Sequence, residues 1–162
     1  EMPPQTMAVV RTTGDPNKVG QQVFPALYGA AYTLKFQLKK QGQDFKVAAL
    51  RARWPNALAS NKDEWVGVWG LPIPDGTTSL AQKDPGVPVR VEVWQYGTVA
   101  QILHLGPYSE EPPTIAKLHE FITTSGFEIA GDHEEEYLTR PDAKVPKTII
   151  RYPVCRAGGE CR

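Results

Sequence analysis

The sequence predicts an α+β protein made of two tandem strand-helix-strand-strand modules, with antiparallel sheets and one main helix in each. Three observations carry this. Apolar residues recur at spacings of three and four in two separate stretches, each flanked by runs that alternate with period two. The order strand, helix, strand, strand occurs twice, at about half the length of the 162-residue chain, with no visible identity between the copies. A stretch rich in proline and glycine, about 75–88, separates them and reads as a linker.

Taken in order, Met7 to Arg11 is a short apolar strand, stopped by Gly14, Asp15, Pro16 and Asn17. A long helix is expected from about Val19 to Gln41, with Val23, Leu27, Tyr28, Ala31, Leu34 and Leu38 as its buried stripe. Pro25 is placed near its first turn, where a missing N–H costs least. Phe45 to Trp54 is a strand with Arg51 and Trp54 on opposite sides, so both face one pocket only if a bulge intervenes. After a polar connection, Asn56–Asp63, the strand Glu64 to Leu71 puts Trp65, Gly67 and Trp69 on one face. This completes module one, about 5–74.

Module two, about 89–154, opens with a strand from Val89 to Tyr96 that breaks at Gly97 and continues from Thr98 to Leu105. A helix follows whose Ile115, Leu118, Phe121 and Ile122 share a face, ended by Gly126. A strand from Phe127 to Thr139, the loop Arg140-Pro141-Asp142 and a last strand from Lys147 to Val154 complete it. The tail 155–162, with Cys155 and Cys161, is expected to fray and to hold two free thiols, as a reducing cytoplasm favours. The whole chain, 1–162, is read as one domain of two modules.

Formal net charge is zero and no basic run appears, so the electrostatic footprint of a nucleic-acid binder is missing. No apolar run reaches the length of a membrane span, and the expected setting is cytoplasmic. Serine-nucleophile and phosphate-cradling motifs are absent, and no cofactor is expected. The three histidines show no metal-ligand spacing, so no metal is expected either. His104 reads as a structural hydrogen-bonder, and Arg151 as the partner of an acid across the sheet.

One stretch invites chemistry. In His133-Glu134-Glu135-Glu136-Tyr137-Leu138, strand alternation puts His133, Glu135 and Tyr137 on one face and Glu134, Glu136 and Leu138 on the other. Three adjacent acids also describe an exposed strand edge. If Glu135 is instead buried against aromatics, desolvation raises its pKa unless Arg51 lies close enough to lower it. Trp54, Trp65, Trp69 and Trp94 can serve as core or as pocket wall. The gap above Gly67, between Trp65 and Trp69, suits a planar ligand. Tyr28, Tyr32 and Tyr96 are secondary wall candidates.

Three segments resemble the GyrI-like small-molecule-binding family, many of whose members carry similar series in this order. They are His104-Leu105-Gly106-Pro107-Tyr108, Glu135-Glu136-Tyr137-Leu138 and Lys147-Thr148-Ile149-Ile150-Arg151-Tyr152-Pro153-Val154. The second half matches well and the first more weakly, and the chain is most similar to the free-standing branch without a DNA-binding domain. The resemblance implies two tandem modules and a cleft between them for bulky, often aromatic or cationic, compounds. In that reading Glu135 is the acidic anchor, Tyr137 lies beside it and Tyr108 near the rim. Some members are effector domains of multidrug-responsive regulators, others bind a toxin or gyrase, and one branch hydrolyses cyclopropane-bearing alkylating compounds. One departure bears on this: Arg51 stands where free-standing relatives tend to have a second pocket carboxylate, and Pro55 where they have a tryptophan. That departure bears on both the cation preference and the hydrolase activity that the resemblance implies.

The expected function is therefore a binding protein for a bulky amphipathic or aromatic xenobiotic, with Glu135, Tyr137, Tyr108, Trp65, Trp69, Arg51, Trp54, Tyr28 and Tyr96 as contacts. The alternatives are a hydrolase of cyclopropane-bearing xenobiotics using Glu135 and Tyr137, or the ligand-sensing domain of a transcription regulator. A homodimer or a protein partner is also compatible with the sequence.

Overall fold

The computed structural model describes residues 1–56, 61–140 and 142–159. Part of the polar connection, Pro141 and Cys161 lie outside them. The fold is α+β, and the chain divides into two compact units, Pro4–Gln95 and Tyr96–Arg162, the latter joined by Glu1–Pro3.

In the N-terminal unit, β1 (Gln5–Thr13) leads into α1 (Pro16–Lys40), then β2 (Leu50–Trp54), β3 (Val66–Pro72) and β4 (Arg90–Trp94). The antiparallel order is β4-β1-β3-β2. The helix starts earlier than expected because the Asp15 carboxylate accepts from the Asn17 N–H at 3.0 Å, capping a first turn that begins with Pro16. Pro25 therefore lies well inside α1, not near its first turn. Gly20, Val23, Ala26, Leu27, Ala30 and Ala31 form the buried stripe, while Tyr28, Leu34 and Leu38 are only half-buried. The second strand is shorter than expected: Phe45–Ala49 is irregular and regular pairing begins at Leu50.

The strand expected to open module two belongs to the first unit. Its β4 pairs with β1, Trp94 opposite Gln5. Gly97, at φ +70°, then turns the chain away before β5.

In the C-terminal unit, β5 (Val99–Leu105) is followed by α2 (Pro112–Thr124), β6 (Phe127–Ile129), β7 (His133–Tyr137) and β8 (Lys147–Arg156). The antiparallel order is β7-β8-β5, with β6 also on β8. The paths β1-β3-β2 and β5-β8-β7 are the same topology, so the repeat read from the sequence is present in the backbone. The strand expected from Phe127 to Thr139 is broken in two. Between the pieces, Gly131 lies so close to Pro153 that a Cβ would sit 2.8 Å from its ring.

Ala100, Leu118, Ile122, Ile150, Tyr152 and Val154 form the core of this unit, with Ile102, Ile115 and Phe127 packed on it. Phe121 is 61% exposed, against the expectation that it joins the buried face. A short helix lying on one small sheet buries only a narrow stripe, and Leu118 and Ile122 fill it.

The tail does not fray at Cys155. Strand β8 runs on to Arg156, and the Ala157 N–H donates to the Gly126 carbonyl at 3.0 Å. Cys155 is disulfide-bonded, which corrects the free thiol expected of it. Among the described residues, no helix is long and apolar enough to cross a membrane.

Candidate functional site

Strand β7 delivers its side chains as alternation requires. Glu135 pairs in register with Ile150 of β8, a core residue packed with Leu118 and Ile122 of α2. The odd-numbered residues of β7 therefore lie on the helix-covered face of their own sheet, rather than on its bare face. There the Glu135 carboxylate accepts from His133 Nε2 at 2.9 Å and from the Tyr137 hydroxyl at 2.5 Å. His133 Nδ1 lies 2.7 Å from the Tyr152 hydroxyl. Both histidine and glutamate side chains are nearly enclosed, 9% and 13% exposed. Tyr108, 43% exposed, meets the Tyr137 ring edge-on at 5.7 Å.

A residue that the sequence reading did not single out completes the group. Glu111 is the residue before Pro112 at the start of α2, and it is 6% exposed. A turn of 3-10 helix, Tyr108–Glu110, brings it back toward β7, and its carboxyl hydrogen-bonds that of Glu135. The signal available in the sequence was an acid three residues after Tyr108, at a helix start where an N-cap of Ser, Thr, Asp or Asn is more usual. Alternation had placed His133 on this face, but Tyr152 was missed, because nothing in its spacing links it to His133.

The electrostatics follow from this crowding. Burial, then the Glu135 charge and hydrogen bond, push Glu111 up to about 8. For Glu135 burial pulls upward as well, but the His133 hydrogen bond and charge and the Tyr137 and Glu111 hydrogen bonds outweigh it and hold it below its usual value. Burial and then the same carboxylate raise Tyr137 well above the usual tyrosine range and Tyr152 to about 12. The pair of carboxyls thus holds one proton at neutral pH, with Glu135 as the ionised member.

The opposite face of β7 is an ion-pair cluster. Arg151 donates to Glu134 at 2.6 Å, Glu136 at 2.9 Å and Gln101 at 2.9 Å. The Tyr96 hydroxyl donates to Glu134 at 3.0 Å, so this expected wall residue is engaged with the structural cluster. His104 is structural, as read: its ring nitrogens meet Thr114 at 2.9 Å and the Pro107 carbonyl at 3.1 Å.

The tryptophan wall closes. Trp54 packs edge-on between Trp69 and Trp65, with ring centroids at 5.1 and 5.9 Å. A Cβ on Gly67 would lie 2.7 Å from Trp69 Nε1 and 3.2 Å from the Trp54 ring. The gap expected between Trp65 and Trp69 is therefore filled by indoles. Trp65 also precedes β3 instead of lying within it. Strand β2 alternates without a bulge, so Arg51 and Trp54 lie on opposite faces. Tyr28 is half-buried on α1, its hydroxyl raised by burial and then by Tyr32. A separate open depression of about 440 Å3 in this unit is lined by Tyr32, Lys35, Asp44 and Phe45, and includes none of the expected contacts except the secondary candidate Tyr32.

The model of the GyrI-like small molecule binding domain matches residues 1–154. The chain belongs to the GyrI-like family. No curated protein matches it. Among solved structures, this GyrI-like chain is similar to an uncharacterized conserved protein from Listeria innocua. Identity is 29% and the TM-score 0.83, over 94% of this chain and 89% of that one. A hydrolase from Listeria innocua is similar at 28% identity and TM-score 0.79, over 94% and 88%. The EcmrR C-terminal domain shares the fold at 14% identity and TM-score 0.64, over 96% and 94%. Membership establishes a small-molecule binding domain.

Proposed function

We propose that this GyrI-like domain binds a bulky, aromatic or amphipathic xenobiotic whose cationic group is held by the Glu135 carboxylate. The observation that carries the reading is the enclosure of Glu135: a 13%-exposed carboxylate whose first neighbours are the Tyr137 hydroxyl, an imidazole and a second acid. An organic cation entering there replaces the proton on the Glu111–Glu135 pair, and the rings of Tyr137 and Tyr108 supply apolar area. Apolar contact is poorly directional, so a range of ligands is expected to bind. The Trp54–Trp65–Trp69 stack is assigned to the core of its unit.

The test is calorimetry with a dye carrying a protonated tertiary amine and a neutral dye of similar size. Replacing Glu135 with Gln is expected to weaken the cationic dye by roughly 1.5–3 kcal/mol, the range for hydrogen bonds to charged groups, and the neutral dye far less. Equal losses for both would mean that the carboxylate is structural.

A second reading, hydrolysis of a strained-ring xenobiotic, is favoured by the similarity to a Listeria innocua hydrolase. Glu135 would then orient water and Tyr137 polarise the leaving group. Ring-opened product from a cyclopropane-bearing alkylating agent, detected by mass spectrometry, separates turnover from binding.

A further inference from the structure

Glu111, His133 and Glu135 each present one donor atom, and these atoms all lie within 4.8 Å of one another. The sequence separates the first from the others by a helix and a strand, so only the fold brings them together. An acidic cluster alone says little, but here one member is unsatisfied. Glu111 is 6% exposed, and its Oε1 is buried with no hydrogen-bond partner. Buried acceptors are satisfied in the great majority of cases, and an exception calls for a missing partner.

We infer that Glu111, His133 and Glu135 form a binding site for a divalent transition-metal cation. Two carboxylates and one imidazole suit Zn2+, Mn2+, Co2+ or Fe2+ rather than a soft-metal site, and three protein ligands leave positions for water or an anionic ligand. His133 Nε2 and Glu135 Oε1 are already 2.9 Å apart, about the separation of neighbouring donors around a metal at ~2.1 Å. Glu111 has to close in by a side-chain rotation.

The surroundings suit the assignment. A metal-bound imidazole needs a partner for its other nitrogen, and Tyr152 stands 2.7 Å from His133 Nδ1. A phenol donates or accepts, so Nδ1–H can donate to Tyr152 once Nε2 turns to the metal. Tyr137, 2.5 Å from Glu135, orients that carboxylate. The metal and an organic cation would compete for the same charge, yet the site does not depend on the ligand-binding reading, since it is tested with no organic ligand present.

Chelator-treated protein is titrated with ZnCl2, MnCl2 and CoCl2 by calorimetry, with metal content checked by elemental analysis and the Co2+ form by its visible spectrum. The expected result is about one equivalent bound, with an imidazole-containing Co2+ spectrum. Glu111→Gln is expected to weaken binding at least 100-fold, and Tyr152→Phe by 10-fold or more as a positioning residue. Glu120→Gln, on the exposed side of α2, is the control and should leave it unchanged. Thermal melts confirm that each variant is folded. No uptake by the wild type overturns the inference, as does uptake that survives both Glu111→Gln and His133→Asn in folded protein.

Discussion

The two faces of β7 hold the same kinds of residue to opposite ends. On one, Glu134 and Glu136 lie on either side of the Arg151 guanidinium, whose side chain is 4% exposed, and Gln101 and Tyr96 take up remaining hydrogen bonds. On the other, Glu135 and Glu111 share a proton, and Glu111 Oε1 has no partner. The first face carries its own counter-charge, so it specifies how β7, β8 and β5 align. The second has carboxylate left over, so it has reason to take a cation. One residue's shift along the strand separates an acid paired with arginine from one proposed to hold a cation.

The largest expected effect is on the closed face. Arg151→Leu removes the guanidinium that lies 2.6 Å from Glu134 and 2.9 Å from Glu136, and unfolding by urea should show a loss of about 3–5 kcal/mol. A loss well under 1 kcal/mol would mean that this cluster is no more built-in than the other.

The next effect is on the open face and depends on pH. Glu111 ordinarily titrates near 4.5 and is raised to about 8 in the folded protein. The folded state therefore holds this proton more tightly than the unfolded chain. The stability it contributes is fully present below about pH 4.5 and is lost as pH rises through about 8. The lowered Glu135 works in the opposite sense, its contribution present above its unfolded pKa and lost as pH falls through the folded one. Between pH 5 and 8.5 the Glu111 contribution should cost on the order of 2–4 kcal/mol. Denaturation of the wild type and Glu111→Gln across that range is the check: the decline should be present in the first and largely absent in the second.

The smallest effect sharpens the contrast. Tyr152→Phe removes the hydroxyl 2.7 Å from His133 Nδ1, and should cost only about 0.5–1.5 kcal/mol of stability, as a single neutral hydrogen bond does. Its effect on cation binding should be larger than its effect on folding. If stability alone falls, the open face is held together as rigidly as the closed one.

Much of this was legible in the sequence, for local reasons. Period-two alternation placed His133, Glu135 and Tyr137 together and Glu134 and Glu136 apart from them, since side chains on a strand have no other choice. The apolar periodicity of α2 placed Leu118 and Ile122, and the Arg151 pairing followed from acids and a base on neighbouring strands. The tryptophans were less legible. Alternation puts Trp69 above Gly67, but only packing decides that Trp54 leans across and fills the space. Phe121 and Pro25 were misplaced because periodicity sets a helix's face, not its width or its starting residue.

What the amino-acid order determined alone is whatever depends on neighbours a few positions away: the strand and helix repeat, the two faces of β7, and the family series. The tertiary structure decided what depends on distant residues meeting. It brought Glu111 from the start of α2 to Glu135 on β7, put Tyr152 behind His133, and gave β4 to the first unit. The physical reason is that a carboxyl's charge state and partners are set by the groups within a few ångströms of it, and separation along the chain does not encode that distance.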